Sequence, residues 1–197
     1  MILIGLTGGI GMGKSTSARL LVERGVPVVD TDDLAREVVV PGQPALEELR
    51  ALFGPEIIGS DGALKREQVA RMVFADPPRR RQLEGIVHPR IRQRWLNLAN
   101  QWRLQRQALG VVIIPLLYET DAAGEFGAVV CVACSAASQR QRLRSRQWSD
   151  QEIDQRLAAQ WPVPKKMELA DYVIWTEPRV ETHAAQLDRV LRSLRSS

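Results

Sequence analysis

A short glycine-rich segment near the start of the chain has the residue types and the spacing of a phosphate-binding loop. Gly8 is followed at fixed distances by Gly13, Lys14 and Ser15, which is the pattern Gly-x-x-x-x-Gly-Lys-Ser. Glycines let backbone N–H groups approach phosphate oxygens because they carry no Cβ. A lysine ammonium pairs with β- and γ-phosphates, and a serine hydroxyl is a magnesium ligand. The segment therefore predicts a site for ATP and Mg²⁺, with Ser15 on the metal.

The context of the loop supports the same interpretation. An apolar run, Ile2–Leu6, precedes it, and a helical pattern, Lys14–Glu23, follows it. The helix would direct its positive end at the nucleotide. An ordinary glycine-rich turn is the alternative, and a chance match to the pattern is expected on the order of one time in a hundred. The predicted nucleotide-binding residues are Gly9, Ile10, Gly11, Met12, Gly13, Lys14, Ser15 and Thr16.

A candidate catalytic carboxylate follows the second apolar run of the chain. Asp32 lies in Val29-Asp30-Thr31-Asp32-Asp33, and ligands of open α/β sheets bind outside the carboxyl ends of strands. A carboxylate there could accept or orient the proton of an attacking hydroxyl, or hold magnesium through water. The alternative is an N-cap for a following helix, a position that Asp33 fits better. We therefore predict that Asp32 is a catalytic residue and a metal-site residue.

Short apolar runs alternate with helical patterns over the rest of the chain. The runs are rich in Val and Ile and lack strict alternation, as expected for strands of a parallel sheet buried on both faces. Strands that alternate with helices indicate an α/β fold with crossover connections. The predicted strands are Ile2–Leu6, Val26–Asp30, Val111–Leu116, Ala128–Ala133 and Asp171–Trp175.

The long segment between the second and third predicted strands has helical character. We interpret residues 1–197 as a single domain with a helical subdomain inserted at about 33–109, which in small-molecule kinases commonly holds the phosphate acceptor. A second helical region runs from Ser135 to Ala170, where Ser149 and Glu152 form a capping-box pattern. The helix-like pieces of the insertion are Ala45–Phe53, Lys65–Phe74, Arg79–Ile86 and Pro89–Leu109.

Composition narrows the classes of function. The chain has a formal charge of +4, 25% charged and 45% hydrophobic residues, values that exclude disordered and collagen-like classes. A basic balance suits phosphate-rich substrates as well as nucleic acid, but no basic stripe interleaved with aromatic residues is present. No apolar run approaches the ~18 residues of a membrane span, and no signal-peptide pattern opens the chain. We therefore expect a cytoplasmic protein with no nucleic-acid or membrane partner.

Two cysteines form a Cys-x-x-Cys pattern that could indicate zinc or redox chemistry. Cys131 and Cys134 lie in or at the end of the apolar run Ala128–Ala133, and the sequence has no second cysteine pair. The histidines, His88 and His183, are far away in sequence. We predict that both thiols are buried and structural.

The motifs beyond the loop favour a small-molecule kinase among the proteins that share it. A switch GTPase would usually show Asp-x-x-Gly after a strand and Asn-Lys-x-Asp for the base, and neither occurs here. The third predicted strand ends in Pro115-Leu116-Leu117-Tyr118-Glu119, without the acidic residue of a usual Walker B strand. A second carboxylate must therefore come from elsewhere, as Asp32 would.

The chain as a whole resembles the dephospho-coenzyme A kinase family. The shared motifs occur in the family's order over nearly the full length. They are Gly5-Leu6-Thr7-Gly8-Gly9-Ile10-Gly11, Val29-Asp30-Thr31-Asp32, Leu34-Ala35-Arg36-Glu37-Val38, Pro41-Gly42, Asp61-Gly62-Ala63-Leu64, His88-Pro89-x-Ile91, Pro115-Leu116-Leu117-Tyr118-Glu119, Gln139-x-x-Arg142-x-x-x-Arg146, Ala159-Gln160 and Ala170-Asp171-Tyr172-Val173-Ile174.

The resemblance implies transfer of the ATP γ-phosphoryl group to the ribose 3′-hydroxyl of dephospho-coenzyme A. It also implies a P-loop kinase three-layer α/β sandwich with a five-stranded parallel sheet, a helical acceptor-binding insertion and a helical lid at about 136–165. Carried over by position, Asp32, Lys14 and Arg142 would be catalytic, and Arg146 would contact the nucleotide. The alternative for the two arginines is a solvated helix face.

Acceptor-binding residues follow from the same resemblance. They would be Thr7, Asp32, His88 and Leu116. His88 precedes Pro89 at a predicted helix start, so we expect it to brace the acceptor domain and not to transfer protons. One departure affects the adenine contacts: where family members often continue the last strand into an acidic residue, asparagine and glycine, this chain has Ile174-Trp175-Thr176-Glu177-Pro178.

Two other functions remain open from the residues. One is a kinase of the same architecture that phosphorylates a nucleoside, a nucleoside monophosphate or a small metabolite. The other is a nucleotide-dependent switch that phosphorylates nothing, against which the missing GTPase motifs argue.

Overall fold

A five-stranded sheet in the order β2-β3-β1-β4-β5 forms the centre of the fold, and every strand pair is parallel. The computed structural model describes residues 1–74, 76–177 and 179–196. Pro178, the last residue of the predicted departure near the adenine, lies outside them. The strands are β1 (Ile2–Thr7), β2 (Val28–Asp30), β3 (Leu109–Ile113), β4 (Ala128–Ala133) and β5 (Tyr172–Trp175).

The central strands are buried because both faces of the sheet are covered. Every residue of β3 and β4 is buried, as the continuous apolar runs predicted. The predicted α/β fold with a five-stranded parallel sheet is confirmed. The third strand is Leu109–Ile113, so the predicted bounds were too late. Ile114 still donates its N–H to Leu6, but Pro115 has no N–H with which to continue the ladder.

Helices connect the strands and fill the long segment after β2. The described helices are α1 (Lys14–Val22), α2 (Thr31–Glu37), α3 (Pro44–Phe53), α4 (Arg66–Phe74), α5 (Pro77–Leu104), α6 (Ala136–Arg144), α7 (Asp150–Ala158), α8 (Val163–Leu169) and α9 (Val180–Ser196). None of them, over the described residues, is long and apolar enough to cross a membrane.

The chain divides into two compact units. The first comprises Met1–Asp30 and Ala99–Ser197, and its core joins the strands to residues of α1 and α9, such as Leu21 and Leu187. The second comprises Thr31–Leu98. Its core is formed by Val38, Val39, Ala45, Leu49, Phe53, Ile57, Val69 and Val73.

One predicted helix boundary is wrong. The pattern predicted separate helices ending at Ile86 and beginning at Pro89, but α5 runs without interruption from Pro77 to Leu104. A proline inside a helix costs ~3 kcal/mol through its lost N–H and its ring. Here Ile86 and Ile91, on either side of Pro89, both pack against the core of the second unit. Burial along one helix face therefore outweighs the local preference for a break, and His88 lies inside the helix and not near its start.

The predicted N-cap role of Asp33 is also wrong. Helix α2 begins at Thr31, so Asp32 and Asp33 both lie in its first turn. Carboxylates are favoured there because the helix N-terminus carries partial positive charge. The cap therefore does not distinguish the two aspartates, and the assignment of Asp32 depends on its place after β2 and on the family resemblance.

Candidate active site

The glycine-rich loop joins β1 to α1 and needs backbone angles that other residues rarely adopt. Gly8, Gly11 and Gly13 have φ values of 146°, 77° and 98°. A Cβ on Gly8 would also collide with the carbonyl oxygen of Val132 in β4. Glycine at position 8 is thus required by both conformation and space.

Every carbonyl of the loop from Gly8 to Gly13 accepts a hydrogen bond from the protein. The donors are Lys14 Nζ to Gly8 and Gly9, Gln139 Nε2 to Ile10, Arg142 Nη1 to Gly11, Thr176 Oγ1 to Met12, and the Ser17 N–H to Gly13. The C=O and N–H of a trans peptide point in opposite directions. The N–H groups of Gly11, Gly13 and Lys14 therefore point away from the donors to their own peptides, which leaves them available to a phosphate.

Lys14 and Ser15 occupy the first turn of α1. Lys14 Nζ lies 2.9 Å from the Gly8 oxygen and 3.1 Å from the Gly9 oxygen, so its ammonium group is at the loop. The Ser15 side chain is exposed, and that of Thr16 is half-buried. No group of three or more His, Cys, Asp or Glu that could hold a metal occurs among the described residues. A serine hydroxyl together with phosphate oxygens and waters is a ligand set that Mg²⁺ uses, so the position of Ser15 fits the predicted metal role.

Two glutamines of the second helical region hold the tip of the loop. Gln139, on α6, donates through Nε2 to the Ile10 oxygen at 2.7 Å. The Ile10 N–H donates to Oε1 of Gln160 at 3.0 Å. Sequence reasoning did not assign either glutamine to the site, although both stand in the motifs shared with the family.

The two arginines that the sequence assigned to a lid, Arg142 and Arg146, differ in their environment. Arg142, half-buried on α6, donates from Nη1 to Thr176 Oγ1 at 2.9 Å and from Nη2 to the Thr176 oxygen at 2.7 Å. Its Nη1 also lies 3.4 Å from the Gly11 oxygen. Arg146 follows the end of α6 with an exposed side chain. The structure thus brings Arg142 to the loop, together with Thr176, which sequence reasoning had not assigned.

A cavity of about 400 Å³ lies beside Arg142. It is lined by Ser138, Gln141, Arg142, Ser145 and Glu177. The Glu177 carboxylate accepts hydrogen bonds from the N–H and the hydroxyl of Ser135, the N-cap of α6, at 3.1 and 2.8 Å. The Ser135 backbone N–H and then its hydroxyl lower the pKa of the Glu177 carboxyl below its usual value.

A buried ion pair contacts the chain just after the carboxyl end of β3. Lys166, whose side chain is wholly buried, contacts Glu119 Oε1 and the Pro115 oxygen, each at 2.7 Å. Thr7 Oγ1 donates to the same Pro115 oxygen at 3.3 Å, so the buried Thr7 hydroxyl is held at the sheet edge. Lys166 was not found from the sequence because nothing in a lone lysine marks it as buried.

The turn that begins at Leu116 contains Tyr118, which stacks on Trp161. The Thr120 N–H donates to the Leu116 oxygen at 3.0 Å, and Leu116 itself is half-buried. Tyr118 lies parallel to Trp161, with ring centroids 6.3 Å apart. Burial raises the pKa of Tyr118 to about 12, so its hydroxyl stays protonated at neutral pH.

Asp32 and His88 belong to the second unit. Asp32 is exposed in the first turn of α2, two residues beyond the last residue of β2. His88 is half-buried within α5. Their predicted roles in catalysis and acceptor binding stay predictions.

The cysteines and His183 are buried in the first unit. Cys131 and Cys134 are free thiols, 0% and 5% exposed, which confirms the prediction of buried thiols. Burial raises the pKa of Cys131 to about 11. His183 Nε2 lies 2.9 Å from Ser17 Oγ and so links α9 to α1. Burial, with smaller contributions from Arg142 and Arg24, lowers the pKa of His183.

Comparison with known proteins places this arrangement in one family. The dephospho-CoA kinase family model matches residues 2–181. A dephospho-CoA kinase of Anaeromyxobacter dehalogenans is 45% identical, and the match covers 99% of this chain and 93% of that protein. A dephospho-CoA kinase of Bdellovibrio bacteriovorus is 41% identical, and the match covers 97% of this chain and 95% of that protein. The crystal structure of TT1252 from Thermus thermophilus is 36% identical and covers 98% of this chain and 97% of its own, with a TM-score of 0.83. The chain belongs to the dephospho-CoA kinase family.

Proposed function

We propose that the chain transfers the γ-phosphoryl group of ATP to the ribose 3′-hydroxyl of dephospho-coenzyme A, which gives coenzyme A and ADP. The bond between the hydroxyl oxygen and the γ-phosphorus forms as the bond from that phosphorus to the β–γ bridging oxygen breaks. Membership of the family supports the reaction. The structural observation that carries it is the phosphate loop, whose carbonyls all accept bonds from the protein and whose lysine stands beside them.

Lys14 and the loop N–H groups bind the triphosphate in this proposal. The Lys14 ammonium group is held by the Gly8 and Gly9 carbonyls, and its flexible side chain would exchange them for phosphate oxygens when the nucleotide binds. Ser15 would hold Mg²⁺, which neutralises phosphate charge when it is bound. The fixed loop costs no reorganisation as charge shifts toward the bridging oxygen during transfer.

Asp32 takes the proton of the acceptor hydroxyl. Its carboxylate follows β2 by two residues, and in α/β sheets reactions take place beyond the carboxyl ends of the strands. We also assign Asp32 to the metal through a bridging water. The unit Thr31–Leu98 overlaps the insertion predicted at about 33–109, and we propose that this unit binds the acceptor with the help of His88. Thr7, the last residue of β1, and Leu116, in the turn after β3, are further proposed acceptor-binding residues.

The proposed lid is the segment at about 136–165, which contains α6, α7 and the first residues of α8. Its closure would exclude water, which would otherwise compete with the acceptor for the γ-phosphoryl group. Arg142 would stabilise the negative charge of the transferring group, and Arg146, now exposed, would reach the nucleotide.

The test follows ATP consumption by the purified protein with magnesium, with and without dephospho-coenzyme A, and weighs the product by mass spectrometry. The expected result is acceptor-dependent ADP formation and a product one phosphate heavier than the acceptor. Hydrolysis that ignores the acceptor would reject the proposal, as would faster phosphorylation of a nucleoside or a nucleoside monophosphate.

A further inference from the structure

Thr176 occupies a junction between the sheet, the phosphate loop and the lid. It directly follows β5, and its N–H donates to the Ala133 oxygen at 2.8 Å, which extends the pairing with β4 by one residue. Its side chain is 6% exposed. The N–H of Thr176 is therefore anchored to the sheet through a bond that involves neither the lid nor the loop.

The Thr176 hydroxyl has one proton, which it donates in a hydrogen bond to the loop. Oγ1 donates to the Met12 oxygen at 3.0 Å and accepts from Arg142 Nη1 at 2.9 Å. A second guanidinium nitrogen, Nη2, donates to the Thr176 carbonyl at 2.7 Å. Arg142 thus donates hydrogen bonds to both oxygens of Thr176, and Thr176 donates a hydrogen bond to the loop.

The methyl group of Thr176 contributes contact as well. A Cβ placed on Gly13 would lie 3.2 Å from Thr176 Cγ2, so the methyl packs closely against the last glycine of the loop. Gly13 is the N-cap of α1, the helix that begins with Lys14. Both ends of the Thr176 side chain therefore restrain the peptides whose N–H groups would face the phosphates.

We propose that Thr176 is a positioning residue for ATP binding, which holds the Arg142 guanidinium and the Met12–Gly13 peptide in the arrangement that the triphosphate needs. The inference rests on the proposed function, since it assigns Thr176 to the ATP site of that kinase. Thr176 touches neither the acceptor nor the transferred group in this proposal, and it acts through Arg142 and the loop.

The experiment compares Thr176→Val with Thr176→Ser, and measures the Kd of Mg-ATP by calorimetry without any acceptor. Valine keeps the shape and removes the hydroxyl, which leaves the Met12 carbonyl and Arg142 Nη1 each short of a partner. We expect Thr176→Val to raise the Kd of ATP by about tenfold, since a lost bond to a charged group has that order of effect. Thr176→Ser retains the hydroxyl and should stay within about threefold of the wild type.

A purely structural role gives a different outcome. Thr176→Val would then lower the stability of the protein but leave the Kd of ATP unchanged, and that result would overturn the proposal. Thr182→Val is the matched control, because Thr182 is an exposed threonine on α9. The KM for dephospho-coenzyme A should not change in Thr176→Val, whereas a parallel rise in both constants would indicate general damage and overturn it as well.

A double-mutant cycle tests the link to Arg142. In an Arg142→Ala background, Thr176→Val should raise the Kd of ATP by clearly less than in the wild type, because one of the groups it positions is gone. An equal increase in both backgrounds would show that Thr176 does not act through Arg142. Should Thr176→Val fail to fold, Arg142→Lys tests the same contact, because lysine keeps the charge but lacks the planar fork. Arg142→Lys should weaken ATP binding about fivefold, and an unchanged Kd would reject the link.

The ATP-binding measurements also distinguish a failure of the proposed role of Thr176 from a failure of the proposed reaction. If the wild-type protein ignores dephospho-coenzyme A but Thr176→Val weakens ATP binding, the proposed function fails and the role of Thr176 stands. If the wild-type protein makes coenzyme A and Thr176→Val binds ATP normally, only the role of Thr176 fails.

Discussion

The ammonium group of Lys166 lies 2.7 Å from Oε1 of Glu119, and the lysine side chain is wholly buried. Glu119 Oε1 also accepts the N–H of Trp161 at 2.8 Å, and Lys166 donates to the Pro115 oxygen as well. The pair joins α8 to the turn that follows β3. A buried ammonium group is tolerated only because it has an ionic partner and a carbonyl acceptor.

We expect Lys166→Met to destabilise the protein by about 3–5 kcal/mol, because it leaves the Glu119 carboxylate buried without its partner. Urea unfolding measures the change in the free energy of unfolding. Lys165→Met is the matched control, since Lys165 is exposed and lies over the Trp161 ring, a contact of about 0.5–1 kcal/mol. Adding Glu119→Gln to Lys166→Met should restore part of the loss, and a further loss in the double variant would contradict the pairing.

Gly8→Ala should disrupt the phosphate loop. The φ of 146° disfavours an alanine, and its Cβ would meet the Val132 carbonyl oxygen. We expect a loss of about 1–3 kcal/mol or more in the free energy of unfolding, together with loss of ATP binding. Gly124→Ala provides the comparison, because no atom lies within 4 Å of the Cβ position at Gly124. If Gly8→Ala binds ATP as tightly as Gly124→Ala does, the loop geometry is wrong.

Asp32→Asn should lower kcat by about 10²–10⁴-fold, because the amide cannot take the proton of the acceptor hydroxyl. The Kd of ATP should change much less than kcat, and single-turnover assays with dephospho-coenzyme A would separate the two. Asp33→Asn is a close control, since Asp33 is also exposed in the same turn of α2. Equal turnover by the two variants would remove Asp32 from the mechanism.

His183 should make the stability of the protein depend on pH. Its pKa is lowered from 6.5 by burial, so the folded state binds the proton less readily than the unfolded chain does. The contribution of neutral His183 is therefore fully present above pH 6.5 and is lost as the pH falls through the folded-state pKa.

Urea unfolding of the wild type between neutral pH and pH 5 should show this loss, and His183→Gln should show a shallower decline. Glutamine does not titrate and can still hydrogen-bond to Ser17. Parallel pH profiles for the two proteins would mean that other groups cause the decline.

The phosphate loop and the neighbouring strands were predictable from the sequence because their signals are local. The residues from Gly8 to Ser15 all lie in one loop and the start of one helix. Each predicted apolar run corresponds to a strand of the sheet. The capping box of Ser149 and Glu152 is confirmed for the same reason, since both of its hydrogen bonds join residues three apart. The order of the shared motifs then predicted the family, which the comparisons confirm.

The local rules failed where distant packing competed with them. Pro89 is a helix breaker by itself, yet α5 continues through it because apolar residues on both sides of it pack on one core. Asp33 has a favoured N-cap residue type, but α2 begins directly after β2, where the strand ends. At Pro89 the burial of these apolar residues outweighs the proline's cost of ~3 kcal/mol, whereas at Asp33 the end of β2 sets the start of the helix.

The sequence by itself predicted the glycine-rich loop between β1 and α1, the class of the fold and the family. Only the tertiary structure decided which side chains hold the loop in place. Gln160 meets Ile10 across 150 positions of sequence, and Thr176 meets Met12 across 164. The type of a single threonine, glutamine or lysine does not identify its partner. For Thr176 and Met12, the parallel pairing of β1, β4 and β5 brings the carboxyl ends of these strands to the same edge of the sheet. The physical reason is that hydrogen bonding and burial depend on distance in space, which spacing along the chain specifies only within single elements.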